Sequence, residues 1–191
     1  MKKMELSRLY RYDEVSKLYY IDVQLENYRD AYSDWDFSPF INRDLDDDLN
    51  EYLLECSYEI TKKENLCIVF HILNQSKSMF REKKSVEGMS NYFSYRIRKM
   101  SNHRMRMFRN TISFLIVGSV LLFLGSILGT GFGHSMIINL VSEGFFIGGW
   151  VMIWEMFSTW FFNIRELTQT IKHYTRLRDT PIIFEYNEVD I

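Results

Sequence analysis

A chain of 191 residues and 23.1 kDa, 47% hydrophobic, has room for one small domain beside one membrane hairpin. Its net charge of −2 hides a polarised chain: residues 1–60 hold 7 Lys/Arg against 15 Asp/Glu, residues 61–110 hold 12 against 3, and residues 111–191 hold 4 against 7. A basic block directly before an apolar one fits anionic lipid headgroups at a cytoplasmic flank and argues against nucleic acid as the partner.

Residues 1–20 are polar and charged and lack the apolar core of a signal peptide. Within them, 4–17 read as a short amphipathic helix or an irregular lead-in. Residues 18–25 alternate, with Ile21, Val23 and Leu25 on one side and Tyr20, Asp22 and Gln24 on the other, which predicts a strand with one buried face. A loop follows over 28–42, marked by Ser33-Asp34 and by Ser38-Pro39, which opposes helix.

A helix is expected from about 44 to 58, with Leu45, Leu49, Leu53 and Cys56 on one stripe. Asp46, Asp47 and Asp48 crowd its start, where carboxylates offset the partial positive charge of unpaired amides. The run RDLDDDLNEY (43–52) is a poor divalent-metal site, because consecutive aspartates on a helix fan apart. After a polar turn, LCIVFHIL (66–73) reads as a central strand, and its lone His71 as a packed or edge residue with no second ligand spaced for it. Cys56 and Cys67 lack the spacing of a metal site and read as reduced packing residues of the cytoplasm.

From about 76 to 110, Val86, Met89, Phe93, Ile97 and Met100 recur at helical spacing with Arg and Lys between them. Nothing after Gly88 breaks this helix, so it is expected to run on into TISFLIVGSVLLFLGSILG (111–129), which is uncharged throughout. That length crosses a hydrocarbon core roughly 30 Å thick. A Gly-rich turn, TGFGHS (130–135), leads to a second apolar stretch near 137–162 that carries Glu143 and Glu155. The pair predicts a transmembrane hairpin with both termini cytoplasmic, because the turn holds no Lys or Arg. Ile164, Leu167, Ile171 and Tyr174 continue the second helix to the basic group Lys172, Arg176 and Arg178. Asp179-Thr180-Pro181 then stops it, and IIFEY (182–186) reads as a last strand.

The expected fold class is an α+β membrane protein, a two-helix hairpin with long cytosolic extensions and a three-stranded α/β cytosolic module. The expected division is 1–75 for the module, 76–110 for the amphipathic helix, 111–162 for the hairpin, and 163–191 for a helix and strand packing back on the module.

Two small-residue pairs, Gly125/Gly129 and Gly144/Gly148, have the GxxxG spacing that lets helices approach closely in lipid, within the hairpin or between copies. Two spans enclose no pathway alone, so any pore must be oligomeric. A carboxylate in hydrocarbon is costly unless protonated, paired or wet, so it often marks a pathway: a span of 144–162 buries Glu155 and a span of 136–154 buries Glu143, the alternative being Glu143 at the outer interface beside Ser142 and Glu155 near the inner one. Trp150, Trp154 and Trp160 suit an interfacial belt or packing, and Arg96, Arg98, Lys99, Arg104, Arg106 and Arg109 suit a basic membrane surface. There is no phosphate-cradling loop, nucleophile–base pair or His/Cys cluster, hence no positive case for an enzyme, a cofactor or a metal.

DFSPFINRDLDDDLNEY (36–52), YFSYR (92–96) and EGFFIGGWVMIWE (143–155) together resemble an uncharacterised bacterial family of two-span membrane proteins. That resemblance covers most of the chain and implies the architecture. In layout the chain is similar to two-span effectors of bacterial anti-phage systems, which implies damage to the inner membrane on triggering. The leading expectation is therefore a self-associating inner-membrane protein whose cytosolic module receives a protein or small-ligand signal and whose spans perturb the bilayer. The rivals are a non-conducting membrane-anchored adaptor and an anchored enzyme or ligand-binding domain.

Overall fold

Four strands form one sheet in the order β1-β2-β3-β4: Arg11–Asp13 (β1), Leu18–Leu25 (β2), Asn65–Ile72 (β3) and Ile182–Tyr186 (β4). β1 is antiparallel to β2, and the other two pairings are parallel. The longer α-helices among the described residues are Asp47–Glu59 (α1), Met79–Gly131 (α2), Met136–Ser158 (α3) and Arg165–Asp179 (α4). A π-helical turn, Thr159–Ile164, joins α3 to α4. This computed structural model describes residues 6, 8–73, 77–131 and 136–186, so the predicted bend at 131–135 lies, past Gly131, outside the described residues.

The chain divides into two units, Met1–Arg98 with Lys172–Ile191, and Lys99–Ile171. In the first, register sets Ile21, Ile68 and Ile182 abreast, and Val23, Phe70 and Phe184 abreast. This is the buried face that alternation in β2 foretold, while β3, which shares the middle of the sheet with β2, is buried on both faces. Helix α1 begins three residues later than expected because Leu45 forms a β-bridge with Tyr32. Asp46 becomes the N-cap, its carboxylate accepting from the amides of Asp48 (3.1 Å) and Leu49 (3.2 Å). The acidic run is thus a helix start.

The three-stranded expectation is corrected to four, since part of the predicted lead-in at 4–17 is β1. The Asp13 carboxylate accepts from the Val15 and Ser16 amides and the Ser16 hydroxyl, and Lys17 turns left-handed at φ 56°. These contacts close a hairpin on a strand only three residues long, too short to show alternation. The Ser16 hydroxyl, then the Val15 amide, holds the Asp13 carboxyl below its usual range.

Helices α1 and α4 are tied by polar contacts at their buried seam. Tyr174 Oη donates to Asn50 Oδ1 at 3.2 Å, and Ser57 Oγ meets His173 Nδ1 at 2.9 Å. His173 is buried and lies against the Tyr58 ring. Burial, then the Lys62 and Arg176 cations, pulls its imidazole from the ordinary 6.5 to about 4. The unfolded chain therefore takes up a proton near pH 6.5 that the folded chain refuses until about pH 4. Stability is full above this window and falls as pH drops through it. A melting temperature lower by several degrees is expected near the acid end, and His173→Asn should flatten that fall. Parallel melting curves for wild type and variant across the window would refute the assignment.

Candidate functional site

The second unit holds the apolar ends of α2 and α3. Both helices are long and apolar enough to cross a membrane, with eighteen-residue windows of mean hydropathy 2.4 and 1.6. Most of their large side chains point away from the protein: Phe123, Ile147, Trp150, Val151 and Trp154 are all exposed.

The seam between the two helices is built from small residues. A Cβ placed on Gly149 would meet Leu122 Cγ at 2.7 Å and the Gly118 carbonyl oxygen at 3.0 Å. One on Gly118 would meet the Gly149 oxygen at 3.0 Å, and one on Gly125 the Ser142 oxygen at 3.1 Å. Ser142 is buried here and its hydroxyl donates to the Gly125 carbonyl at 2.7 Å. Gly118 and Gly125 are seven residues apart, as are Ser142 and Gly149. Two helical turns bring a residue back to nearly the same face, so both pairs line one interface.

Of the four glycines singled out from the sequence, Gly125 and Gly129 face α3; a Cβ on Gly129 would meet Ser142 Oγ at 3.1 Å. A Cβ on Gly148 would be in ordinary contact with Leu121 Cδ1 at 3.7 Å, and one on Gly144 would meet nothing within 4 Å. The Gly144/Gly148 pair therefore lies at the edge of the hairpin seam and outside it. Helical spacing places Val151 and Glu155 on the same stripe as these two glycines. Glu143 and Glu155 are both exposed, and Thr159 Oγ1 donates to Glu155 Oε1 at 3.4 Å. Sequence reading missed Gly118, Ser142 and Gly149, although spacing of seven between small residues was there to be seen.

The end of this unit towards residues 99 and 171 carries basic and aromatic groups. Lys99, Arg106 and Arg109 are exposed, Arg104 is half-buried, and the rings of Phe108 and Trp160 pack 5.6 Å apart. The π turn at Thr159–Ile164 widens the helix where Trp160, Phe161 and Phe162 cluster, all three exposed.

In the first unit, Arg98 is exposed, but Arg96 is no surface charge. Its guanidinium lies 5.5 Å from the Tyr174 ring centroid and 5.9 Å from that of Tyr92, and donates to Tyr174 Oη at 3.2 Å. Packing across α2 and α4 claims it. His71 is not isolated either: its Nε2 lies 2.9 Å from Asp22 Oδ1 and its Nδ1 3.5 Å from Glu185 Oε2. Arg11 joins both carboxylates, at 2.9 and 3.6 Å, so four charged or ionisable groups form one network across the sheet. Cys56 and Cys67 are buried free thiols, and burial pushes both above their usual range, which disfavours the reactive thiolate. Among the described residues no group of His, Cys, Asp and Glu has the arrangement to hold a metal ion.

Comparison with protein-family models, curated proteins and solved structures finds no match to this chain.

Proposed function

We propose that this chain is an oligomeric protein of a bacterial inner membrane. On this reading its hairpin crosses the bilayer twice with both termini cytoplasmic, and its sheet unit receives a signal that makes the spans permeabilise the membrane. An anti-phage effector is one such role. The supporting observation is the apolar surface of α2 and α3, where Ile147, Trp150, Val151 and Trp154 stand exposed on a helix pair too slender to bury them. Water tolerates isolated apolar side chains but not a continuous apolar sleeve, and lipid is its natural solvent. Twelve Lys/Arg against three Asp/Glu over 61–110, and none between the two helices, support the orientation.

Self-association is assigned to the stripe holding Gly144, Gly148 and Glu155, which the hairpin leaves open at Gly144. Reconstituted in nanodiscs, the wild type is expected to be oligomeric, and in dye-loaded vesicles it is expected to cause leakage. Gly144→Leu should shift the protein towards monomer, and Glu155→Gln should change the leak rate by about tenfold or more, as a carboxylate that assembly buries on the path would. A strictly monomeric wild type would overturn the reading. Leakage absent throughout, with Glu155→Gln silent, would instead favour a membrane-anchored adaptor.

A further inference from the structure

Two exposed apolar patches in the first unit carry opposite charge. One is the loop over 33–44, between β2 and α1, where Trp35 and Phe37 are each 97% exposed. The other is the first turn of α2, where Met79 is 78% exposed. Beside it Phe80 is still 68% exposed, although Lys84 Nζ lies 4.6 Å from its ring centroid. Residues 30–51 hold eight Asp/Glu against Arg43 alone, whereas residues 79–84 hold three Lys/Arg against Glu82. That one carboxylate is engaged, accepting from the Tyr186 hydroxyl.

Single apolar side chains on a surface are ordinary. Two bare aromatic rings on a fastened loop are not. The Asp36 carboxylate accepts from the amides of Ser38 at 2.9 Å and Asp44 at 2.8 Å. The Ser33 amide donates to the Asp44 carbonyl at 2.9 Å, and Asn91 Nδ2 of α2 donates to the Ile41 carbonyl at 3.2 Å. Trp35 and Phe37 flank Asp36 in sequence, so the loop is tied down at the residue between the two rings. A segment already fixed loses little conformational freedom on binding, and Trp is among the residues that most often dominate a protein interface. The helix patch is fixed as well, since the Glu82 amide donates to the Ser78 carbonyl at 2.9 Å.

We infer that these patches are the two halves of one contact between copies of this chain, the loop of one copy lying on the first turn of α2 in the next. Trp35 and Phe37 cover Met79 and Phe80, and Asp34 faces Lys83. Asp34 and Lys83 are both exposed, and neither forms an ion pair among the described residues. Charge selects the occupant: anionic lipid headgroups repel an acidic loop, whereas opposite patches attract and fix register. A chain that carries both patches supplies its own partner. Because the patches differ, the contact runs head to tail and closes into a ring where the rotation allows. The inference rests on the reading of the chain as an oligomer and adds a contact in the sheet unit to the one assigned to the stripe of Gly144 and Gly148.

The test uses the full chain in detergent micelles. Chains carrying Trp35→Cys are mixed with chains carrying Phe80→Cys and oxidised; the native Cys56 and Cys67 are buried. Disulfide-linked heterodimers should form about tenfold faster than when Val15→Cys, at another bare position, replaces Trp35→Cys. Asp34→Lys and Lys83→Glu should each weaken association about tenfold, and the chain carrying both should recover to within about threefold, with melting temperatures unchanged. Linking no faster than the control, Trp35→Cys homodimers in place of heterodimers, or charge reversals that do not rescue each other would overturn the proposal. Any of these in a wild type that stays oligomeric leaves self-association to the apolar helices. Dye leakage is read separately on the same protein, and heterodimer linking without leakage would sink the membrane-perturbing function and leave this contact.

Discussion

Gly149→Leu is expected to force the hairpin helices apart and destabilise the second unit by about 1–3 kcal/mol, the usual cost of overpacking a well-fitted contact. Leu122 Cγ and the Gly118 carbonyl already lie at 2.7 and 3.0 Å from where the new Cβ would stand. The first is a branch point and the second is backbone, so neither moves aside without shifting a helix. Dispersion contacts carry helix association in lipid, where water offers no hydrophobic drive between spans. Widening this seam loses them along its length, and it also breaks the Ser142–Gly125 hydrogen bond. The control is Gly144→Leu, whose Cβ would meet nothing within 4 Å. Unfolding in detergent micelles, at a dilution that keeps the chain monomeric, should show a large loss for Gly149→Leu and almost none for Gly144→Leu. Equal losses would mean that the seam is not where these contacts put it.

Arg176→Ala should unfasten the start of β3 at a cost of about 2–4 kcal/mol, given the strength of charged hydrogen bonds to backbone. This guanidinium donates to four carbonyls: Ser57 (3.1 Å), Ile60 (2.8 Å), Thr61 (3.0 Å) and Glu64 (2.5 Å). It thereby serves the last carbonyls of α1 and the turn into β3, groups that have no helical partner. Lysine has one ammonium in place of a planar fork, so Arg176→Lys should recover less than half of the loss. Hydrogen exchange is the direct readout. Amides of Leu66 to Ile72 should exchange faster in Arg176→Ala, while those of the apolar part of α2 stay unchanged. Uniform acceleration across both regions would point to general unfolding and away from this clamp.

Much of the sheet was legible because burial writes itself into side-chain order. β2 alternates since only one of its faces is fully covered, and β3 is apolar from Leu66 to Phe70 since both of its faces are buried there. The last strand was visible for the same reason, following a proline that ends α4. β1 was not, because a hairpin closed by Asp13 and a left-handed Lys17 needs only three paired residues. The long helices were legible from their unbroken periodicity, but which glycines face the partner helix was not. GxxxG spacing drew attention to Gly144 and Gly148, whereas the contacts fall to residues seven apart, Gly118 with Gly125 and Ser142 with Gly149. A helix rich in small residues offers several possible faces, and only its partner selects among them.

Long-range packing hid the rest. Arg96 looks like one more flanking cation until Tyr174, 78 positions away, claims its guanidinium. His71 looks solitary until β2 and β4 bring Asp22 and Glu185 to either side of it.

The strand order carries a consequence for biosynthesis. β3 pairs with β4 through Ile68 and Ile182, yet the whole apolar hairpin is translated between them. At a ribosomal pace of roughly 5–20 residues per second, one edge of β3 waits several seconds, bare and strongly apolar, before its neighbour emerges. During that interval the nascent chain presents a template for unwanted strand addition. Pairing of β3 with β4 must therefore compete with aggregation, and holdase chaperones should bind the chain stalled just before residue 182 far more than the finished protein.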